Sequence, residues 1–209
     1  MTPAELLASE RAGIADDFER FGADAPTLCE GWTAFDLIAH MVVREHEPLA
    51  ASGIVLPGPF RSHLNRRMEA AKATGFDTLV ARIRDGAGFP MRIFGPRANL
   101  NEYFIHREDL RRANGEGARE LPDEYQDFLW SGLALSAFLA KARVRNFGLQ
   151  LVAADDRIRT VRDAEPMVTL SGPPSEIVLY LTGRKAAAVV EIEGTEVAKT
   201  ALAHARFAL

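Results

Sequence analysis

Three side chains of the types that bind metal ions recur in stretches with a helical pattern. Glu102 and His106 lie four residues apart, so a helix would project both from one face with Cβ atoms about 6 Å apart. His40 falls within an earlier stretch rich in Leu, Ile and Met, where an apolar residue would be less costly to bury. Because a bundle can bring two such helices face to face, the three residues predict a mononuclear site for a divalent ion.

The same residues also have a purely structural interpretation. Glu102 and His106 alone would form a solvated pair worth about 0.2–0.5 kcal/mol, and His40 alone would be a core histidine hydrogen-bonded to a carbonyl group. The bundle would then be a scaffold that binds nothing. The Glu-x-x-His spacing of di-iron bundles is missing from the sequence, so a metal site here would hold one ion.

Caps and apolar spacing outline the helices that must position these residues. Thr2 can cap a first helix that Gly22 ends, and Thr33 with Asp36 forms a capping-box-like pair at the start of the helix that carries His40. Asn114 marks the end of the helix that carries Glu102 and His106. The helices predicted in this part of the chain cover residues 3–21, 33–50, 61–74, 77–86, 98–113 and 122–143.

The pattern changes after about residue 146 to short β-like runs. Strands are predicted over residues 147–153, 158–161, 167–170 and 188–192, with helices over 174–182 and 196–207. The fold class expected is therefore α+β, with a helical bundle over residues 1–145 and a small α+β C-terminal domain over residues 146–209.

Several short motifs resemble the metal-binding maleylpyruvate isomerase N-terminal family of the DinB-like superfamily. They are Leu28-Cys29-Glu30-Gly31-Trp32-Thr33, Asp36-Leu37, Ala39-His40 and Asn101-Glu102-x-x-x-His106-Arg107-x-Asp109. This resemblance covers residues 5–145 and implies an up-down DinB-like helical bundle. It also implies the ligand set His40, Glu102 and His106.

The second half resembles the small C-terminal domain that follows the bundle in this family. The matching residues are Val168-x-Leu170-x-Gly172 and Ile177-x-Leu179-x-Leu181-x-Gly183-Arg184. In the isomerase a C-terminal arginine assists the active site, and the resemblance places that catalytic role on Arg184. The structural alternative for Arg184 is a solvated side chain that closes a helix C-terminus.

A site with three protein ligands leaves a coordination position open, as catalytic zinc sites do. A water there would become a hydroxide, and a small thiol would become a nucleophilic thiolate. Enzymes that resemble this family use the second option, with mycothiol as the thiol. We therefore expect a thiol-dependent isomerase or S-transferase that acts on a small electrophile. Zinc is the expected ion, with nickel or iron as alternatives, and the rival hypothesis is a metal-containing small-molecule binding protein without turnover.

Three further residues have competing interpretations. Asp36 and Asp109 are candidates to accept hydrogen bonds from the imidazoles and so to orient them, although Asp36 also fits a helix cap. Cys29 precedes the helix that carries His40, and is expected to be a buried, inert thiol rather than a nucleophile or an additional soft ligand.

The remaining histidines and the two tryptophans need no site to explain them. His46 lies nearly two turns from His40 and is either a displaced ligand or a solvated residue, whereas His63 and His204 have no supporting constellation. Trp32 and Trp130 are expected to pack in the core.

Charge, hydropathy and cysteine content predict the type of partner and the cellular compartment. Net charge is -4 with dispersed basic residues, which argues against nucleic acid as the main partner. No apolar run approaches the roughly 18 residues of a membrane span, the first residues do not follow the order of a signal peptide, and the one cysteine fits a reducing compartment. A cytoplasmic monomer or homodimer with a small-molecule substrate or thiol is expected.

Overall fold

The computed structural model describes residues 1–47, 59–86 and 95–207. Across these residues the chain forms eight helices and four strands. Contacts divide it into two compact units, Met1–Ala118 and Arg119–Leu209. The first unit is helical and the second combines helices with a sheet, which confirms the α+β class expected from the sequence. No helix in the described ranges is both long and apolar enough to cross a membrane.

The described residues of the first unit form five helices. They are α1 (Pro3–Phe21), α2 (Ala34–His46), α3 (Pro59–Lys72), α4 (Phe76–Asp85) and α5 (Gly95–Ala113). The predicted cap of α1 is confirmed, because Thr2 and Glu5 form a reciprocal capping box. Helix α2 ends at His46 instead of continuing to residue 50 as predicted, and residues 48–50 lie outside the described part of the chain.

Apolar faces of these helices meet in one core. Helix α1 packs against α4 and α5, and α2 packs against α3 and α4. The fully buried side chains include Ile14 and Phe18 of α1, Leu37 and Ile38 of α2, and Leu79 of α4. The helices that carry His40 and Glu102 are therefore walls of a packed bundle, which fixes their side-chain directions.

A largely buried arginine connects four of these five helices. Arg11 of α1 donates two hydrogen bonds to the Glu45 carboxylate of α2, at 2.9 and 2.6 Å. It also donates to the Ile83 carbonyl of α4 and to the Tyr103 hydroxyl of α5. Because Glu45 and Tyr103 lie close in sequence to the candidate ligands, this network fixes α2 and α5 near the site.

A second arginine ties α5 to α1. Arg107 donates from Nε to the Asp17 carboxylate at 2.7 Å, and its guanidinium lies over Gly13. A Cβ atom at Gly13 would overlap that guanidinium, so the glycine is what allows the close approach. Arg107 directly follows His106, and its contact therefore fixes the rotation of α5 at the site.

The second unit is built on a four-stranded sheet. Its elements are α6 (Asp123–Lys141), β1 (Gly148–Ala153), β2 (Ile158–Arg162), β3 (Met167–Gly172), α7 (Pro174–Leu181), β4 (Glu191–Gly194) and α8 (Glu196–His204). The strand order is β2-β1-β3-β4; β1 and β3 are parallel and the two outer pairings are antiparallel. The last strand begins three residues later than predicted, and α8 ends at His204 rather than at residue 207.

The helix α6 has its contacts in the second unit. It packs against α7 and β2, and Gln126 of α6 exchanges hydrogen bonds with Ser175 of α7. The apolar spacing of this helix is typical of a bundle helix and predicts a place in the bundle, but spacing does not show which apolar surface a helix covers. The division into residues 1–145 and 146–209 stays a prediction.

Candidate metal centre

The structure brings His40, Glu102 and His106 together. Helix α2 supplies His40, and α5 supplies Glu102 and His106 from one face. One ligand atom from each residue lies within 4.8 Å of the other two. The imidazole rings are 5.2 Å apart between centroids and nearly perpendicular, and His106 Nε2 lies 3.6 Å from Glu102 Oε2. Nitrogen and oxygen ligands of a tetrahedral zinc ion lie about 3.4 Å apart, so this pair is close to a ligating arrangement.

The burial of the histidines bears on the choice between the metal site and the structural alternatives. His106 is only 8% exposed, so Glu102 and His106 are not the solvated pair considered above. His40 is 3% exposed, and its Nδ1 has no hydrogen-bond partner within the described residues, so no carbonyl group there satisfies this nitrogen. A buried polar atom left without a partner is costly, and a bound cation would satisfy a neutral imidazole. The residues therefore fit a divalent metal ion.

Asp109 orients the His106 ring. The Nδ1–H group of His106 donates to Asp109 Oδ2 at 3.0 Å, and Asp109 is fully buried. In the neutral ring this bond leaves the lone pair on Nε2, the nitrogen that faces Glu102, which is the tautomer that a metal ligand needs. Of the two aspartates that the sequence offers as acceptors for the imidazoles, Asp109 therefore orients one ring.

Asp36, the other candidate acceptor, has a different role. Its Oδ2 accepts from the backbone and side chain of Thr33, and its Oδ1 accepts from Lys72 at 2.8 Å. These bonds make it the capping-box residue of α2.

The electrostatics favour the protonation states that bind cations. Burial, followed by the charge of His106, lowers the pKa of His40 to about 3, so this ring is neutral at physiological pH. Burial raises the pKa of Glu102, but its hydrogen bond with His106 and the charge of Arg44 outweigh burial and hold that pKa at about 2. A neutral imidazole and an ionised carboxylate are the ligating forms.

His106 shows the opposite shift. Burial lowers its pKa, but the hydrogen bonds with Asp109 and Cys29 outweigh burial and raise the pKa well above its ordinary value. The ring therefore holds a proton when no other cation is present, surrounded by acceptor groups. A metal ion would replace this proton at a position where the surrounding groups already attract positive charge.

Arg44 is a residue of the site that the sequence analysis missed. It lies one turn beyond His40 on α2, its Nε is 3.2 Å from Glu102 Oε2, and its Nη1 donates to Asn99 Oδ1 at 2.9 Å. The contact fixes the Glu102 carboxylate from the side of α2. The signal in the sequence was the i,i+4 spacing between His40 and Arg44, which places both on one helix face.

The turn before α2 places two more residues beside the histidines. The Cys29 thiol donates to Asp109 Oδ2 at 3.3 Å, and the Trp32 ring packs 5.1 Å from that of His40. Cys29 is half-buried rather than buried and also packs against the apolar core, and its expected inertness stays a prediction. Its backbone neighbour Leu28 donates to the Asp109 carbonyl at 3.0 Å, which brings the turn onto α5.

The other candidate residues are Arg184 and three further histidines. Arg184 belongs to the second unit, just after α7, and its Nη1 donates to the Thr182 carbonyl at 2.5 Å. His46 is the last residue of α2, while His63 and His204 are exposed on α3 and α8. A catalytic role for Arg184 stays a prediction.

Comparison with known proteins identifies the fold. No family profile matches the sequence, and no curated protein matches it. Among solved structures, the crystal structure of the mycothiol-dependent maleylpyruvate isomerase matches with a TM-score of 0.57 and 18% identity, over 92% of this chain and 93% of that one. A histidine-to-alanine mutant of that isomerase matches with a TM-score of 0.57 and 17% identity, over 91% and 93% of the two chains. The chain therefore has the fold of the mycothiol-dependent maleylpyruvate isomerase.

Proposed function

We propose that this protein is a metal-dependent enzyme that binds one divalent ion through His40, Glu102 and His106. The observation that carries the proposal is the convergence of three ligand atoms, from two helices, within 4.8 Å of one another. Zinc is the ion we expect, and nickel and iron suit the same ligand set. The reaction we propose is a thiol-dependent isomerisation or S-transfer on a small electrophile, with mycothiol as the thiol.

The residues around the ligands have defined tasks in this proposal. An ion held by three protein ligands supplies an open coordination position at which a thiol is stabilised as its thiolate. Asp109 holds the His106 tautomer through the 3.0 Å hydrogen bond, and Arg44 holds the Glu102 carboxylate. Trp32 packs against the His40 ring and restricts its rotation. The ligands are thus supported on both sides before an ion arrives, which is what a preorganised metal site requires.

Two observations support the thiol in particular. The fold is that of an enzyme described as mycothiol-dependent, and that enzyme is an isomerase. Thiolate is also the soft ligand that zinc accepts readily. We propose Arg184 as the group that binds a carboxylate of the substrate, since a guanidinium matches a carboxylate in charge and planar geometry.

Metal content is the first test. Purified wild type and the variants His40→Ala and His106→Ala are exchanged into chelator-free buffer and analysed by elemental mass spectrometry. His63→Ala serves as the matched control, because His63 is exposed and lies in the same unit. We expect one equivalent of metal in wild type and control, and none in the two variants. No stoichiometric metal after reloading with zinc, nickel or iron would overturn the proposal.

The thiol is tested on the cobalt-substituted protein. Mycothiol that coordinates the ion gives a sulfur-to-cobalt charge-transfer absorption and shifts the visible bands of Co²⁺. Turnover is then measured with small electrophilic double-bond substrates, with Arg184→Ala compared against wild type for KM and kcat. Metal without a spectral response to thiols would favour the second candidate, a metal-containing small-molecule binding protein without turnover.

A further inference from the structure

We propose that Cys29, His106 and Asp109 form a second cation site, selective for a thiophilic ion, on the opposite side of the His106 ring. The donor atoms of these three residues lie within 4.8 Å of one another. Cys29 Sγ is 3.3 Å from Asp109 Oδ2, and His106 Nδ1 is 3.0 Å from the same oxygen. The first ligand set uses Nε2 of this ring, so the two sets face its two different nitrogens.

The dimensions of the Cys29 set are close to those of a zinc site. Nitrogen and oxygen ligands of a tetrahedral zinc ion lie about 3.4 Å apart, and sulfur and oxygen ligands about 3.5 Å apart. The two measured separations are 3.0 and 3.3 Å. Each pair would therefore have to open by only a few tenths of an ångström, which side-chain rotation at Cys29 and Asp109 provides.

The backbone already holds Cys29 in place. Thr27 donates from its hydroxyl to the Trp32 carbonyl at 2.9 Å and accepts from the Cys29 amide at 3.2 Å. The Trp32 amide donates back to the Cys29 carbonyl at 3.0 Å, and the Leu28 amide donates to the carbonyl of Asp109 itself. A turn closed by these bonds loses little further freedom when the thiol binds an ion.

Charge and hardness select the ion. A cysteine thiolate and an aspartate carboxylate together neutralise a divalent cation, and the thiolate favours a soft ion such as Cd²⁺ over Mg²⁺ or Ca²⁺. On binding, the thiol proton and the Nδ1 proton of His106 leave to solvent, and the remaining ring proton stays on Nε2, so no oxidant or reductant is required. Cys29 is half-buried while His106 and Asp109 are buried, which makes the thiol the entry side for the ion.

The two ligand sets compete for one ring. A neutral imidazole has one lone pair, on whichever nitrogen carries no proton. An ion on Nδ1 therefore removes His106 from the set with His40 and Glu102. The second site does not depend on the proposed enzymatic function, because only His106 is common to both sets. Where the first set is occupied, a thiophilic ion is expected to displace the resident metal.

Cadmium titration of the metal-free protein tests the site. Cd²⁺ bound to a thiolate gives an ultraviolet charge-transfer absorption, and equilibrium dialysis gives the affinity. We expect the absorption in wild type and in His40→Ala, which lacks a ligand of the first set only. Cys29→Ser keeps a hydroxyl donor toward Asp109 and should lose the absorption, with an affinity at least about 100-fold lower, because loss of a ligand exceeds the effect of an outer-shell change.

The controls make either result decisive. Circular dichroism of each variant confirms that it is folded, and Asp109→Asn should weaken Cd²⁺ binding in wild-type and His40→Ala backgrounds alike. Absence of the thiolate absorption in both wild type and His40→Ala would overturn the second site. Absorption in wild type that disappears in His40→Ala would also overturn it, because the cadmium would then depend on the first ligand set.

Discussion

Replacement of Asp109 should weaken metal binding in two graded steps. Asp109→Asn keeps the size and one acceptor oxygen but removes the charge, and Asp109→Ala removes the acceptor for the His106 Nδ1–H group altogether. A hydrogen bond to a charged group contributes about 1.5–3 kcal/mol and a neutral one about 0.5–1.5 kcal/mol. Because 1.4 kcal/mol corresponds to a factor of ten, we expect zinc affinity to fall by about 10-fold in Asp109→Asn and by about 100-fold in Asp109→Ala.

The magnitude depends on burial at this position. Asp109 is 0% exposed, so water cannot replace the lost acceptor, and the Nδ1–H group would be left unsatisfied unless the ring turns. A turned ring directs its Nε2 away from Glu102 and His40. The range of 10-fold to 100-fold is also the range typical of residues that orient metal-bound histidines.

Competition against a chromophoric chelator measures the affinity, with thermal unfolding of the metal-free variants recorded in parallel. Asp36→Asn is the matched control, because this carboxylate caps α2 without contacting the candidate ligands. It should lower stability and leave zinc affinity unchanged. Wild-type affinity in a folded Asp109→Ala protein would refute the orienting role, as would equal losses in Asp109→Ala and Asp36→Asn.

Three further predictions concern the bundle that supports the site. Glu45→Ala should lower the free energy of unfolding in urea by about 3–5 kcal/mol, because it leaves the Arg11 guanidinium buried without its carboxylate partner. Burial raises the pKa of Asp36, but its hydrogen bonds outweigh burial and lower it from 3.8, so the carboxylate stabilises the fold above that pH. The stability difference between wild type and Asp36→Asn, measured by denaturation at several pH values, should therefore shrink as the pH falls below about 4 and through the lower folded-state pKa. Gly13→Ala gains about 1 kcal/mol of helix propensity but places a methyl group where the Arg107 guanidinium lies, so it should raise the thermal unfolding midpoint more in an Arg107→Ala background than in wild type, and equal effects in the two backgrounds would contradict that contact.

Local signals predicted most of the helices and the members of the candidate site. The i,i+4 spacing of Glu102 and His106 fixed their common face without knowledge of any partner, and the capping box at Thr33 fixed where the helix of His40 begins. That two separate helices would present these residues to each other was an inference from bundle packing. The 5.2 Å separation between the imidazole rings agrees with it.

Residue spacing does not predict contacts between segments that are distant in sequence. Arg44 meets Glu102 across 58 positions of sequence, and Cys29 meets Asp109 across 80. Each contact depends on how α5 is rotated against its neighbours, which Arg107 sets through Asp17 and no local pattern encodes. The same reasoning explains the assignment of α6, since its apolar face fits a bundle or a sheet equally well.

The charges assembled around the ligands bear on what the open position would accept. Glu102 carries a negative charge that Arg44 offsets at 3.2 Å, and His40 is neutral because burial lowers its pKa to about 3. The Asp109 carboxylate offsets one charge of a divalent ion through the His106 ring, which leaves one positive charge uncompensated. In a buried site such an excess is costly and attracts an anion. A thiolate or hydroxide at the open position would remove it, whereas a neutral thiol or water would not, so the protein charges would favour loss of a proton from a thiol or water that binds there.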